Sequence, residues 1–176
     1  MKALFLDRDG TLIRHIPYLS DPNQVELMPG TQEVLQKALS EKYLLFLFTN
    51  QSGVGRGFYT LDSVTACNNR MLELLNLPST IFTEICIATE EPGGAIIYRK
   101  PSPRFILEMV AKYKLRKDHS YMIGDSIRDV EAGRRAGIQS IAILNKQLAG
   151  LESIPDYIIQ YNSILDWFKQ THLEVN

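Results

Sequence analysis

The chain has 176 residues, 19 Lys and Arg against 20 Asp and Glu, and a formal net charge of −1. That length fits one domain, residues 1–176, with a substantial core, and a near-zero charge without a basic block argues against nucleic acid as a partner. Two cysteines, Cys67 and Cys86, are too few for a disulfide framework, and no apolar run reaches the roughly 20 residues of a membrane span. With no signal-peptide pattern ahead of the first strand, a cytoplasmic protein without a membrane partner is expected. Both thiols fall in stretches that read as helix or strand interior and should be buried.

An apolar strand over residues 2–6 opens the chain and runs into Asp7-Arg8-Asp9-Gly10-Thr11-Leu12. Continuous apolar runs mark buried parallel strands, and ligands of such sheets bind beyond the strands' carboxyl ends. Asp7 and Asp9, one residue apart, start on the same side of an extended chain. Two carboxylates that close need a cation or a shared proton, and a hard divalent ion such as magnesium meets that need. Residues 10–30, rich in Gly, Pro, Asp and Asn, read as a long loop with a small hairpin over the strand end.

Residues 31–41 form a helix with Val34, Leu35, Ala38 and Leu39 on one face. Tyr43–Phe48 is a second buried strand, ending in Thr49-Asn50-Gln51-Ser52-Gly53. Thr60 is expected to cap a helix carrying Leu61, Val64, Cys67, Met71 and Leu75. A third strand lies near Glu84–Ala88, followed by Pro92-Gly93-Gly94 and then Tyr98-Arg99-Lys100-Pro101. Ser102 as N-cap with Pro103 at the first helical position starts the next helix. His119–Ile123 is a fourth strand ending in Gly124-Asp125-Ser126, and the helix after it is closed by Gly137. Gln139–Leu144, Tyr157–Ile159 and a final helix over 162–171 complete the set. The alternation predicts an α/β fold: one Rossmann-like domain, a mostly parallel sheet with helices on both faces, and no room for a cap domain.

Four strand ends thus carry polar groups: Asp7 with Asp9, Thr49, Lys100 by way of its loop, and Asp125. Together they can support phosphoryl transfer. One carboxylate attacks phosphorus, a second acid protonates the leaving alkoxide and later deprotonates water, and a hydroxyl, an ammonium and a divalent ion spread the phosphoryl charge.

The pattern Asp-x-Asp-Gly-Thr-Leu after an apolar strand resembles the first motif of the haloacid dehalogenase (HAD) phosphatase superfamily, and the likeness covers nearly the whole chain. It implies that Asp7 is the nucleophile, Asp9 the general acid/base, Thr49 the phosphoryl-binding hydroxyl and Lys100 the amine that steadies both. It further implies magnesium held by the Asp7 carboxylate, the Asp9 backbone carbonyl and Asp125, with Asp129 orienting its neighbours or the helix start. Asp-Arg-Asp-Gly-Thr-Leu, Thr-Asn-Gln-Ser-Gly-Val-Gly-Arg-Gly and Arg-Lys-Pro look like the small, capless histidinol-phosphate and heptose-bisphosphate phosphatases. By that likeness Arg8, His15, Tyr18, Asn50, Gln51, Ser52, Arg99 and Ser126 are substrate contacts, and Gly53, Gly55 and Gly57 let the backbone approach substrate. Arg99 suits a second phosphate or a polyol because its planar fork donates two bonds at once.

Two departures stand out. Residues 85–98 hold one cysteine and no histidine, whereas the structural zinc of that group needs four ligands, so zinc is not expected. Ser126 stands where the heptose group commonly has a lysine. A magnesium-dependent phosphomonoesterase acting on a small phosphorylated metabolite, as a monomer or small homo-oligomer, is the leading expectation. Histidinol phosphate, a broad range of sugar phosphates, transfer to an acceptor other than water, and a non-catalytic binding or regulatory module are the alternatives.

Overall fold

The computed structural model describes residues 1–144 and 158–172. Strand β1 (Lys2–Leu6) is buried from Ala3 onward, and its alternation decides how the layers are built. Leu4 and Leu6 point into one apolar cluster, Ala3 and Phe5 into another. Strand β2 (Tyr43–Asn50) does the same, sending Leu45 and Leu47 one way and Phe46 and Phe48 the other. A strand apolar on both faces needs a cover on each.

The first cover comes from α1 (Thr31–Ser40), α3 (Leu61–Leu75) and the C-terminal α6 (Ile164–His172), through Val34, Leu35, Met71, Leu75 and Trp167. The second comes from α4 (Arg104–Tyr113) and α5 (Ile127–Ala136), through Phe105, Ile106, Met109 and Ala132. Aromatic rings hold this second layer. Phe5 stacks on Phe46 at 4.7 Å, and Phe105 meets Phe48 at 5.1 Å. A one-turn helix α2 (Ser52–Gly55) follows β2 directly.

The remaining strands are β3 (Phe82–Ala88), β4 (Ser120–Gly124), β5 (Gln139–Ile143) and β6 (Ile159–Tyr161). Among the described residues these six strands form one parallel sheet in the order β3-β2-β1-β4-β5-β6. The order reverses beside β1, so the crevice where ligands enter such sheets opens between the ends of β1 and β4. Among the described residues, no helix is long and apolar enough to cross a membrane.

Most element boundaries follow the sequence pattern, with informative shifts. Thr60 caps α3 by accepting Ser63 N at 3.2 Å, and Gly137 closes α5 in the left-handed conformation with φ 76°. The small hairpin in the 10–30 loop exists as Met28 N to Leu12 O and Arg14 N to Glu26 O, both at 2.8–2.9 Å. The α4 start is corrected by one residue. Pro103 holds the cap position, its carbonyl accepting Leu107 N at 3.0 Å, and the helix begins at Arg104. The Ser102 hydroxyl donates back to Ile97 O at 2.8 Å and accepts Arg104 N at 3.3 Å. The sixth strand runs Ile159–Tyr161; residue 157, where it was expected to begin, lies outside the described residues. Both cysteines are buried, and burial pushes the Cys86 thiol up to about 12.

Candidate active site

Parallel pairing continues one residue past β1, since Asp7 N donates to Ile123 O at 2.9 Å. This rung fixes Asp7 against the end of β4, close to Asp125. Between them the chain turns at Gly10, where φ is +86° and a Cβ would lie 1.9 Å from Asp125 Oδ2. Only glycine allows both that backbone conformation and that approach.

Lys100 enters from the loop after β3 and is 2 % exposed. Asn50, at the end of β2, grips its backbone twice: Lys100 N donates to Asn50 Oδ1 at 2.9 Å, and Asn50 Nδ2 donates to Lys100 O at 3.1 Å. The ammonium donates to Asp7 Oδ1 at 2.6 Å and Phe48 O at 2.7 Å, and lies 2.6 Å from Asp129 Oδ1. Asp129 also builds the start of α5, accepting Ser126 N at 3.0 Å and Ser126 Oγ at 2.7 Å.

Carboxylate oxygens of Asp7, Asp125 and Asp129 lie within 4.8 Å of one another, all buried. Burial above all drives the Asp7 carboxyl well above the usual aspartate range; Lys100 opposes the rise, while Asp129, Asp125 and Asp9 add to it. Burial works to lower the Lys100 ammonium, but Asp129 and Asp7 overcome it and hold that group above the usual lysine range. One ammonium facing this many carboxylates leaves negative charge in excess. The donors are all oxygen, with no imidazole or thiolate, which fits a hard divalent cation of the magnesium or calcium kind.

Asp9 sits on the rim. Two hollows meet there, a smaller one of about 180 Å³ touching Asp7, Lys100, Asp125 and Asp129, and a wider one of about 440 Å³. The wider hollow is walled by His15–Leu19 on one side and Gln51–Gly53 with Tyr59 on the other. Asp9, His15, Asn50 and Arg128 border both. At the outer edge Tyr18, at φ 55°, meets Phe58 edge-on at 4.9 Å, and Arg56 donates to the Tyr18 hydroxyl at 3.2 Å.

The structure brings together Asp7, Asp9, Lys100 and Asp125, with Thr49 Oγ1 3.4 Å from Asp9 Oδ2. His15, Tyr18 and Ser52 line the wider hollow and Ser126 the smaller one. Other expectations need correcting. Arg8 is fully buried and spends its guanidinium on Asp9 and Asn68, so it has no surface for a substrate. Gln51 borders the hollow, yet its amide is committed to Asp9 and Thr49. A Cβ on Gly53 would strike the Tyr59 ring at 2.2 Å and one on Gly55 would strike Thr89 O at 2.4 Å, so both glycines make room for this chain rather than for a ligand. Asp129 meets its expectation on both counts, pairing with its neighbour Lys100 and building the helix start through Ser126.

The sequence reading missed Arg128. It stands in the first turn of α5, exposed, three residues beyond Asp125, and that spacing was the available signal. Its charge reaches Arg99: burial first, then Arg128, lowers the Arg99 guanidinium, with Glu90 opposing. Arg99 is half-buried, and its Nε finds no partner among the described residues. Glu90 Oε1 ties the Arg99 loop by accepting the N–H groups of Ile97, Tyr98 and Arg99 at 3.2, 2.6 and 3.2 Å.

A family model described as haloacid dehalogenase-like hydrolase matches residues 7–143. The chain is 34% identical over 143 residues to a D-glycero-beta-D-manno-heptose-1,7-bisphosphate 7-phosphatase of Rhodopseudomonas palustris, spanning 77% of this chain and 79% of that one. It is 32% identical over 172 residues to the protein of the same name from Helicobacter pylori strain J99, spanning 96% and 97%. The crystal structure of D,D-heptose 1,7-bisphosphate phosphatase from B. bronchiseptica, complexed with magnesium and phosphate, superposes with a TM-score of 0.88 at 22% identity, over 99% of this chain and 100% of that one. A parallel sheet with an Asp-x-Asp strand end, and a family match across most of the chain, place this protein among the haloacid dehalogenase-like hydrolases.

Proposed function

We propose that this protein hydrolyses a phosphomonoester through a phosphorylated Asp7. The observation that carries the reading is the meeting of Asp7, Lys100, Asp125 and Asp129 around one buried hollow with Asp9 on its rim. Lys100 neutralises one oxygen of Asp7 and holds the carboxylate still, so the other oxygen attacks phosphorus at no orientational cost. Asp9 gives its proton to the departing alkoxide, then takes one from the water that cleaves the Asp7–phosphorus bond. Thr49 is fully buried and borders neither hollow. Its hydroxyl donates to Asp9 Oδ2 at 3.4 Å while accepting Gln51 Nε2 at 2.8 Å, so its part is to support Asp9. Magnesium, held by Asp7, Asp125 and the Asp9 carbonyl, would supply the positive charge that the phosphoryl oxygens need.

The substrate class follows from the rim. A hollow of about 440 Å³ beside the reacting carboxylate has the volume for a sugar-sized body. Arg128 borders that hollow with an exposed guanidinium, suited to a second anionic group on the same molecule, while Arg99, within reach of the Arg128 charge, lines neither hollow. Together with the names of the relatives, this favours a heptose 1,7-bisphosphate attacked at its 7-phosphate. Phosphate release with magnesium across a panel of heptose 1,7-bisphosphate, histidinol phosphate, simple hexose phosphates and p-nitrophenyl phosphate tests this. The bisphosphate should have the highest kcat/KM, and a higher value for histidinol phosphate would reassign the substrate.

A further inference from the structure

The two oxygens of Asp9 are treated unequally. Oδ2 accepts Gln51 Nε2 at 2.8 Å, Arg8 Nε at 3.0 Å and Thr49 Oγ1 at 3.4 Å. Oδ1 accepts Arg8 Nη2 at 3.1 Å and has no further donor among the described residues. A carboxylate oxygen offers about two lone-pair directions. Oδ2 is therefore saturated, whereas Oδ1 keeps capacity for a proton or a leaving group.

What sets this asymmetry is buried deeper. Arg8 is 0 % exposed and its far nitrogen, Nη1, donates to Asn68 Oδ1 at 2.9 Å. Asn68 is 4 % exposed and shares the inner face of α3 with Val64, Cys67 and Met71. An amide on an apolar helix face is costly unless bonded, and its bond here goes to Arg8. On the opposite side, the Tyr59 hydroxyl donates to Gln51 Oε1 at 2.8 Å, which turns the Gln51 NH2 toward Asp9. The guanidinium meets the carboxylate through two nitrogens, Nε on Oδ2 and Nη2 lying 3.1 Å from Oδ1 and 3.0 Å from Oδ2, a grip weighted toward Oδ2 that fixes rotation as well as position.

We infer that Arg8 and Asn68 are positioning residues that hold Asp9 by its Oδ2 edge, so that Oδ1 is the atom exchanging the proton with the leaving oxygen. The inference rests on the phosphatase reading. As the Asp7 oxygen bonds to phosphorus, the phosphorus–alkoxide bond breaks and the departing electron pair takes the proton from Asp9 Oδ1. The charge left on Asp9 then falls on the Arg8 fork. In the second step water bonds to phosphorus, the Asp7 carboxylate leaves with its electron pair, and the proton lost by water returns to Asp9.

Leaving-group dependence separates positioning from mere structural support. Arg8→Lys keeps the charge and loses the two-point grip, while Asn68→Leu removes the far anchor at similar volume. For each variant, kcat/KM, which reports the transfer to Asp7, is compared on p-nitrophenyl phosphate and on the alkyl phosphate that the wild type cleaves fastest. The nitrophenolate departs without a proton and the alkoxide does not. Because general acid catalysis is worth about 10²–10⁴-fold, Arg8→Lys should lose about 30-fold or more on the alkyl phosphate and less than about threefold on the aryl one. Asn68→Leu should show the same split at about tenfold, and it decides alone if Arg8→Lys does not melt cooperatively. Equal losses on both esters, with the wild type active, would overturn the inference and leave the phosphatase reading standing. A wild type inactive on every ester would overturn both.

Discussion

The reaction centre and the rim around it are built on opposite physical terms. In the centre, Asp7, Lys100 and Asp129 are at most 7 % exposed, and each charged atom is held by a strand end or a helix start. On the rim, Tyr18 and Phe58 are 52 % and 54 % exposed, and the walls come from loops tied by single bonds such as Arg56 to Tyr18. The centre is over-determined by burial and charge, so its geometry is set by the packed sheet itself. On the proposed function, recognition falls to the loops, where a change costs little stability and alters which molecule is held.

The sharpest break in that contrast is Asp7→Asn. It removes the proposed nucleophile while keeping shape and burial, so turnover should fall on the order of 10⁴-fold or more on every ester alike. A thermal melt should show a folded protein.

Gly10→Ala comes next, because its methyl group would occupy the place of the Asp125 carboxylate. An error of that size near reacting groups costs about 10²-fold in rate. The loss should be accompanied by a higher magnesium concentration for half-activity, and an unchanged magnesium requirement would separate Asp125 from the metal.

Arg128→Ala tests the rim. Losing charge-assisted bonds to a second anionic group, worth about 1.5–3 kcal/mol, should raise KM for a bisphosphate about 10–100-fold. Hydrolysis of p-nitrophenyl phosphate should change less than about twofold, and parallel losses on both would move Arg128 from the rim into the centre.

The smallest expected effect belongs to Glu90→Gln. Burial works to raise the Glu90 carboxyl, but the N–H groups of Tyr98, Arg99 and Ile97 prevail and hold it below the usual glutamate range. A depressed folded-state value means the loop gains stability above the unfolded value and loses it as pH falls through the lower one. The stability gap between wild type and Glu90→Gln should therefore be present at neutral pH and vanish in acid. A gap that persists in acid would show that the carboxylate charge is not what ties the loop.

The same contrast explains what the sequence made legible. Apolar runs ending in polar residues revealed β1, β2 and β4, and with them Asp7, Asp9, Thr49 and Asp125, because strand direction alone fixes where those residues fall. Lys100 was reachable through its place in Arg-Lys-Pro, although the Asn50 grip that aims it was not. Arg8, a substrate contact by the family likeness alone, turns inward instead. Its destination depends on Asn68, 60 positions away, and no local period encodes that contact. Arg128 was passed over because a single arginine in a first helical turn reads as a solvated face until the crevice beside it is known.

The central claim is that Asp7 carries the phosphoryl group between substrate and water. Single-turnover rapid quench in acid, with magnesium and the best ester, followed by mass analysis of the peptide containing Asp7, tests it most directly. The account predicts a phosphorylated Asp7 peptide that rises before free phosphate and then decays, and no such species in Asp7→Asn. Phosphate released at the wild-type rate by Asp7→Asn, with no phosphorylated peptide at any time in either protein, would contradict it.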